Sequence, residues 1–182
     1  RIRSWIFDSD IPVPQSPSTL ARARWATRLQ FMALGVLGGT WGAHIPSVKA
    51  RYALNDATLS IVLLAVAVGT VLSLFIAGRI VGWLGARKAS ALAALMMSLL
   101  LGVVLEYPSV VTLLPAMLIF GAPMRLFAVS GNTAGSAIES LSGRALMSNR
   151  HGMFSVGGMT GAARASYRFD LGVAPGRQPL GV

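Results

Sequence analysis

The sequence predicts an all-α, polytopic membrane helix bundle of about four transmembrane helices plus a truncated fifth, and three observations carry that prediction. Hydrophobic residues make up 54% of the 182-residue chain and charged residues only 12%, where a soluble domain carries roughly 25% charged residues. A soluble chain this apolar could not cover its own surface. The apolar residues also gather into runs of the length needed to cross about 30 Å of hydrocarbon. Finally, Lys and Arg favour alternate loops between those runs, the pattern that holds loops on the cytoplasmic side.

Residues 1–24 are polar, and Pro12, Pro14 and Pro17 argue against a continuous helix there; the expectation is a flexible cytoplasmic tail. Residues 25–163 form the transmembrane region. Arg22, Arg24 and Arg28 lead into a first span at about 29–48. Basic, then apolar, then small residues also describe a signal peptide, but the further spans behind it favour a first transmembrane helix. The second span, 57–78, holds no charge, and Asn55-Asp56 ahead of it suits a helix N-cap. The third, 89–105, ends at Glu106. The fourth, 107–130, contains Pro115 and Pro123, so kinks are expected. Its end is blurred by Arg125 and the polar run from Ser130 to Thr133. An Arg at mid-helix costs roughly 2.5–3.5 kcal/mol on insertion scales, which places Arg125 near the cytoplasmic end or facing the bundle interior.

A partial fifth span occupies 152–163 and is cut off at Arg164. Residues 164–182, with Pro175, Gly176 and Pro179, have neither helical period nor apolar content. The expectation is truncation or a shifted reading frame near Arg164.

The loops assign sides. Arg22, Arg24 and Arg28 precede the first span; Arg79, Arg87 and Lys88 lie between the second and third; Arg144 and Arg150 follow the fourth. No Lys or Arg lies between the third and fourth, and Asp56 partly offsets Lys49 and Arg51 between the first and second. The N-terminus and the second and fourth loops are therefore expected in the cytoplasm of a multi-pass inner membrane protein. The net charge of +10 is accounted for by this topology. No basic patch interleaved with aromatics points to nucleic acid.

The absence of cysteine excludes disulfides, thiolate metal sites and Cys nucleophiles. The sequence holds no HExxH, no Walker loop and no dinucleotide fingerprint after a strand. No enzyme, cofactor or metal is expected. Glycines recur at spacing four, which puts each pair on one helix face: Gly35 and Gly39, Gly38 and Gly42, Gly157 and Gly161. Such faces let helix backbones approach closely in lipid.

Gly78-Arg79-Ile80-Val81-Gly82-Trp83-Leu84-Gly85-Ala86-Arg87-Lys88 connects the second and third spans. Here the chain resembles the major facilitator superfamily, whose members carry a Gly, an acidic residue, a basic residue, a second Gly and two more basic residues in this loop. Gly78, Gly85, Arg87 and Lys88 match that motif, while Gly82 and Trp83 stand where the acidic and the first basic residue would be. The stretch from Gly39 to Lys49 with Ile45-Pro46, then Leu63-Leu64 with Gly69, then Asn132 with Glu139, then His151 to Gly158, is similar in order to one bacterial branch of that superfamily. The resemblance covers about residues 25–163. The chain departs from that branch at Ala128, where an acidic residue is often found, and at Arg125, where a small residue is usual.

The resemblance implies part of the N-terminal half of a twelve-helix fold and secondary transport of a small solute by alternating access, with the lipid bilayer, the solute and a coupling proton as partners. The fragment alone is expected to be inactive. A non-functional truncated product and a structural membrane subunit are the alternatives. Candidates for the substrate cavity are Trp41, His44 and Asn132; Gly78, Gly85, Arg87 and Lys88 would shape the cytoplasmic loop. For His44 the readings are a proton-relay group and an interfacial histidine; for His151, a cap or interface residue and a gating residue. Glu139 is read as a loop residue, solvated or paired with Arg144.

The topology is checked by reporter fusions. Fusions after Lys88 and Ser148 report cytoplasm, and fusions near Arg51 and Tyr107 report the opposite side. A cytoplasmic signal at Tyr107 overturns the span count.

Overall fold

A computed structural model describes residues 17–143 and 147–170. These residues form five helices and no strand: α1 (Pro17–Arg51), α2 (Asp56–Leu84), α3 (Ala86–Gly102), α4 (Val110–Ser142) and α5 (Met147–Asp170). Of these, α2 and α4 are long and apolar enough to cross a membrane by length and composition. The arrangement is a helix bundle in which α1 packs on α5, α2 and α3 pack on α4, and α1 also touches α4.

The ends of the helices follow from local chemistry. Pro17 opens α1 rather than forbidding it, because its fixed φ and missing N–H suit the first turn of a helix. The helix thus begins inside the expected tail, and Pro12 and Pro14 lie outside the described residues. Pro46 sits inside α1, which runs on to Arg51. Asn55 caps α2, its side-chain oxygen accepting from the Thr58 N–H at 2.8 Å. The Lys49 ammonium donates to Asp56 across the α1–α2 turn, and that bond and its charge hold the Asp56 carboxyl below the usual carboxylate range. Tyr52 Oη donates to the Val104 carbonyl at 2.9 Å, tying the same turn to the α3–α4 connection.

Two expected boundaries are corrected. Gly78 and Gly82 do not belong to a loop: α2 continues through them to Leu84, and Gly85 alone breaks the chain before α3. Gly85 has φ 76°, ψ 151°, a conformation that favours glycine. An isolated Gly costs a helix about 1 kcal/mol, less than several backbone groups left unpaired at membrane depth would cost. Likewise α5 does not stop at Arg164 but runs to Asp170. Arg164 and Tyr167 are exposed while Ala165 is buried, so the polar side chains project outward and leave a small residue inside. Residues 171–182 lie outside the described residues.

Two close helix crossings organise the bundle. A Cβ on Gly35 or Gly39 would run into the backbone of Phe154 and Gly158, and a Cβ on Gly157 or Gly161 into that of Met32 and Val36. Backbone therefore lies directly on backbone between α1 and α5. In the second crossing Gly69 of α2 meets the backbone of Leu118, and Gly121 of α4 meets that of Val66 and Thr70. Gly38 and Gly42 face open space. Around these crossings the core holds Val48, Val62, Met97, Leu113, Met117 and Phe120, while many large apolar side chains point outward, among them Phe75, Leu72, Val71 and Ile119. That inverted surface suits a lipid solvent.

Overpacking a tight site costs typically 1–3 kcal/mol. Gly39→Leu and Gly69→Leu are each expected to lower stability by about that amount in detergent unfolding, whereas Gly38→Leu and Gly42→Leu leave it within about 0.5 kcal/mol. Equal effects at all four glycines would contradict the packing described.

Candidate functional site

Three groups of polar side chains stand out in the bundle. The first is an internal knot. Gln30 of α1 donates through Nε2 to Ser90 Oγ of α3 at 2.6 Å, and Ser90 Oγ lies 2.8 Å from Ser130 Oγ of α4. Each hydroxyl has one proton, so one donates across this contact while the other donates to its own helix, Ser90 to the Ala86 carbonyl or Ser130 to that of Phe127. Gly131 leaves the room that the Gln30 amide fills. Gln30 Nε2 also lies 3.4 Å from Ser130 Oγ, so polar contacts join three helices, at a place where the sequence showed only a polar blur.

The second group is a buried cation. Arg150 of α5 is 1% exposed. Its Nη2 donates to the Gly135 carbonyl at 2.9 Å and lies 3.4 Å from Glu139 Oε1. A Cβ at Gly135 would overlap the guanidinium, so any larger residue there would displace Arg150. Glu139 is therefore a helical residue of α4 paired with Arg150, not a loop residue; Arg144 lies outside the described residues. Removing one partner of a buried ion pair is costly because the other charge is left uncompensated. His151, the next residue, is exposed and sets its ring 5.8 Å from that of Phe31 on α1.

The third group is an exposed polar face on α4. Asn132, Thr133, Ser136 and Ser140 are exposed and Arg125 is half-buried. The Thr133 and Ser136 hydroxyls donate to the carbonyls of Val129 and Asn132, and Ser140 to that of Ser136, so the helix itself satisfies them. The Asn132 carboxamide and the Arg125 guanidinium have no hydrogen bond or ion pair among the described residues, and Arg125 Nε is buried without a partner. Seven residues apart, they lie on one side of the helix, roughly 10 Å from each other along its axis. Arg125 stands near the middle of α4 and not at either end. The knot, the Arg150 pair and this face together account for the polar residues of α4 from Arg125 to Ser140.

The expected cavity residues do not converge. Trp41 is buried, at 8% exposure, with its ring 5.6 Å from that of Phe120 on α4; it is a core side chain and offers no face to a solute. Phe120 and Asn132 are twelve residues apart on one helix, roughly 18 Å, so Trp41 and Asn132 occupy different depths. His44 is half-buried, and its Nδ1 lies 2.8 Å from the Thr40 carbonyl. A carbonyl only accepts, so Nδ1 carries the proton. His44 lines a cavity of about 360 Å³ with Leu37, Thr40, Ser98, Leu105 and Glu106, between α1 and the end of α3. Of the loop motif, Gly78 is exposed on α2, Gly85 makes the turn, and Arg87 and Lys88 are exposed in the first turn of α3. Arg125 was visible in the sequence only as a charge out of place. Its pairing with the face of Asn132 needed the helix to continue without a break from Val110 to Ser142.

Steric coupling at the buried cation is tested by a double-mutant cycle. Gly135→Ala alone is expected to destabilise by about 1–3 kcal/mol. In an Arg150→Met background the same change is expected to cost little, giving a coupling energy of at least about 1 kcal/mol. Additive effects would show that Gly135 does not accommodate Arg150.

No protein-family model matches the chain, and no solved structure matches it. Curated relatives do. The chain is 37% identical over 150 residues to an uncharacterized MFS-type transporter of Yersinia pestis, covering 82% of this chain and 39% of the relative. It is 31% identical over 133 residues to an uncharacterized transporter of Sinorhizobium fredii, covering 73% of this chain and 35% of that protein. It is 32% identical over 136 residues to membrane protein MosC of Rhizobium meliloti, covering 75% of this chain and 33% of that protein. The chain thus spans between a third and two fifths of the length of these relatives. With its all-helical, partly apolar bundle, it belongs to the MFS-type transporters and is a membrane-embedded, multi-pass protein.

Proposed function

We propose that this chain supplies one wall of the solute pathway of an MFS-type secondary transporter, set in the inner membrane with its N-terminus in the cytoplasm. The observation that carries the reading is the α4 face bearing Arg125 and Asn132. A guanidinium and a carboxamide at membrane depth cannot stay against hydrocarbon, so they face a water-filled cavity or another part of the protein. Alternating access places a central site between two repeats that rock about it. The five helices provide one side of such a site, and the names of the relatives agree with a transport role. Energy comes from a solute or proton gradient in this scheme. The five helices alone do not transport, because a single wall encloses nothing.

Two preparations in proteoliposomes test this: the full-length gene product and the 182-residue chain. A panel of sugars, amino acids and cationic drugs is offered with and without a proton gradient. Saturable uptake is expected from the full-length protein and none from the 182-residue chain. Asn132→Leu is expected to reduce kcat/KM about tenfold or more at unchanged membrane abundance. Saturable uptake by the 182-residue chain would overturn the single-wall reading, and absence of any uptake by the full-length protein would overturn the transport reading.

A further inference from the structure

We infer that the solute is a small anion carrying a carboxylate or phosphate group, held at mid-depth by Arg125. The inference rests on the transport reading above and adds the chemical class. Arg125 is the only cation of α4. Its guanidinium has no hydrogen bond or ion pair among the described residues, and its Nε is buried with no partner.

The described carboxylates are placed elsewhere. Asp56 pairs with Lys49 at the start of α2, Glu106 lies beyond the end of α3, and Glu139 pairs with Arg150. Glu139 stands fourteen residues along α4 from Arg125, roughly 21 Å away. None of these three carboxylates is the counter-charge for Arg125.

Its counter-charge is then a carboxylate outside the described side chains, or the solute. The surroundings favour the solute. A structural ion pair needs no polar face beside it, whereas here Asn132 adds a second free donor two turns along the same side of the helix, with the exposed Thr133 and Ser136 next to it. A fork of guanidinium N–H groups suits the two oxygens of a carboxylate or phosphate, and an amide donor roughly 10 Å away suits a hydroxyl or carbonyl on the remainder of a small organic anion.

The full-length protein in proteoliposomes is offered matched solutes that differ in charge: gluconate, glucose 6-phosphate, glucose and glucosamine, and lactate against lactamide. Saturable uptake of at least one anion is expected, with its neutral counterpart at least tenfold poorer in kcat/KM. The gluconate and lactate arms separate carboxylate from phosphate recognition. Arg125→Gln is expected to raise KM for the anion at least tenfold, and Arg125→Lys to restore part of the loss. Membrane abundance and gel-filtration profile of both variants serve as the folding control, and loss of the folded protein in Arg125→Gln but not in Arg125→Lys would assign the arginine to a structural ion pair and overturn the inference. Preference for a neutral or cationic member, or a KM unchanged in Arg125→Gln, would overturn anion recognition while leaving transport standing. No uptake of any member would overturn both readings.

Discussion

The bundle depends on backbone lying against backbone at two glycine crossings. Where α1 meets α5, Gly35, Gly39, Gly157 and Gly161 leave no room for a Cβ; where α2 meets α4, Gly69 and Gly121 do the same. In lipid there is little hydrophobic gain from pressing two apolar helices together, so contact has to come from close packing and from polar groups that bond across helices. The glycines supply the first, and their positions decide which helices are neighbours. With α1 seated on α5 and α2 on α4, the contact of α1 with α3 and α4 brings Gln30, Ser90 and Ser130 within bonding distance. The polar knot is a consequence of the crossings as much as a support for them.

The same constraint sorts the polar residues of α4. Ser130 is satisfied by its neighbours, Gly135 yields its carbonyl and its space to Arg150, and Glu139 completes that pair. Thr133, Ser136 and Ser140 bond their own helix. Arg125 and Asn132 remain, on one face, after the other polar side chains of α4 have been assigned. A helix crossing hydrocarbon tolerates such groups only when something polar meets them. It is this remainder, and not any motif, that singles out a surface for function.

The family and the apolar, helical character were legible in the sequence because they rest on composition and on motif order, which need no third dimension. Particular residues were less so. Trp41 is a candidate for the substrate cavity from sequence, yet its indole lies in the core on Phe120, a contact between residues far apart in the chain. Gly38-Gly42 and Gly35-Gly39 are the same signal by spacing, and among the described residues only Gly35-Gly39 meets a neighbouring backbone, because α5 lies on that side of α1. Gly78 in a basic connecting segment reads as a loop, but the backbone keeps its helical bonds until Gly85. The sequence undervalued how strongly a low-dielectric solvent prolongs a helix.

The sequence by itself determined the solvent of this protein, the number of apolar runs and the placement of its charges, since each is a property of consecutive residues. The tertiary structure decided which glycines are contacts, that Arg150 is buried against Gly135 and Glu139, and that Arg125 and Asn132 are left together on an open face. Those outcomes depend on which helices become neighbours. Neighbours are chosen by shape and by the need to pair polar groups across distances that no local pattern encodes.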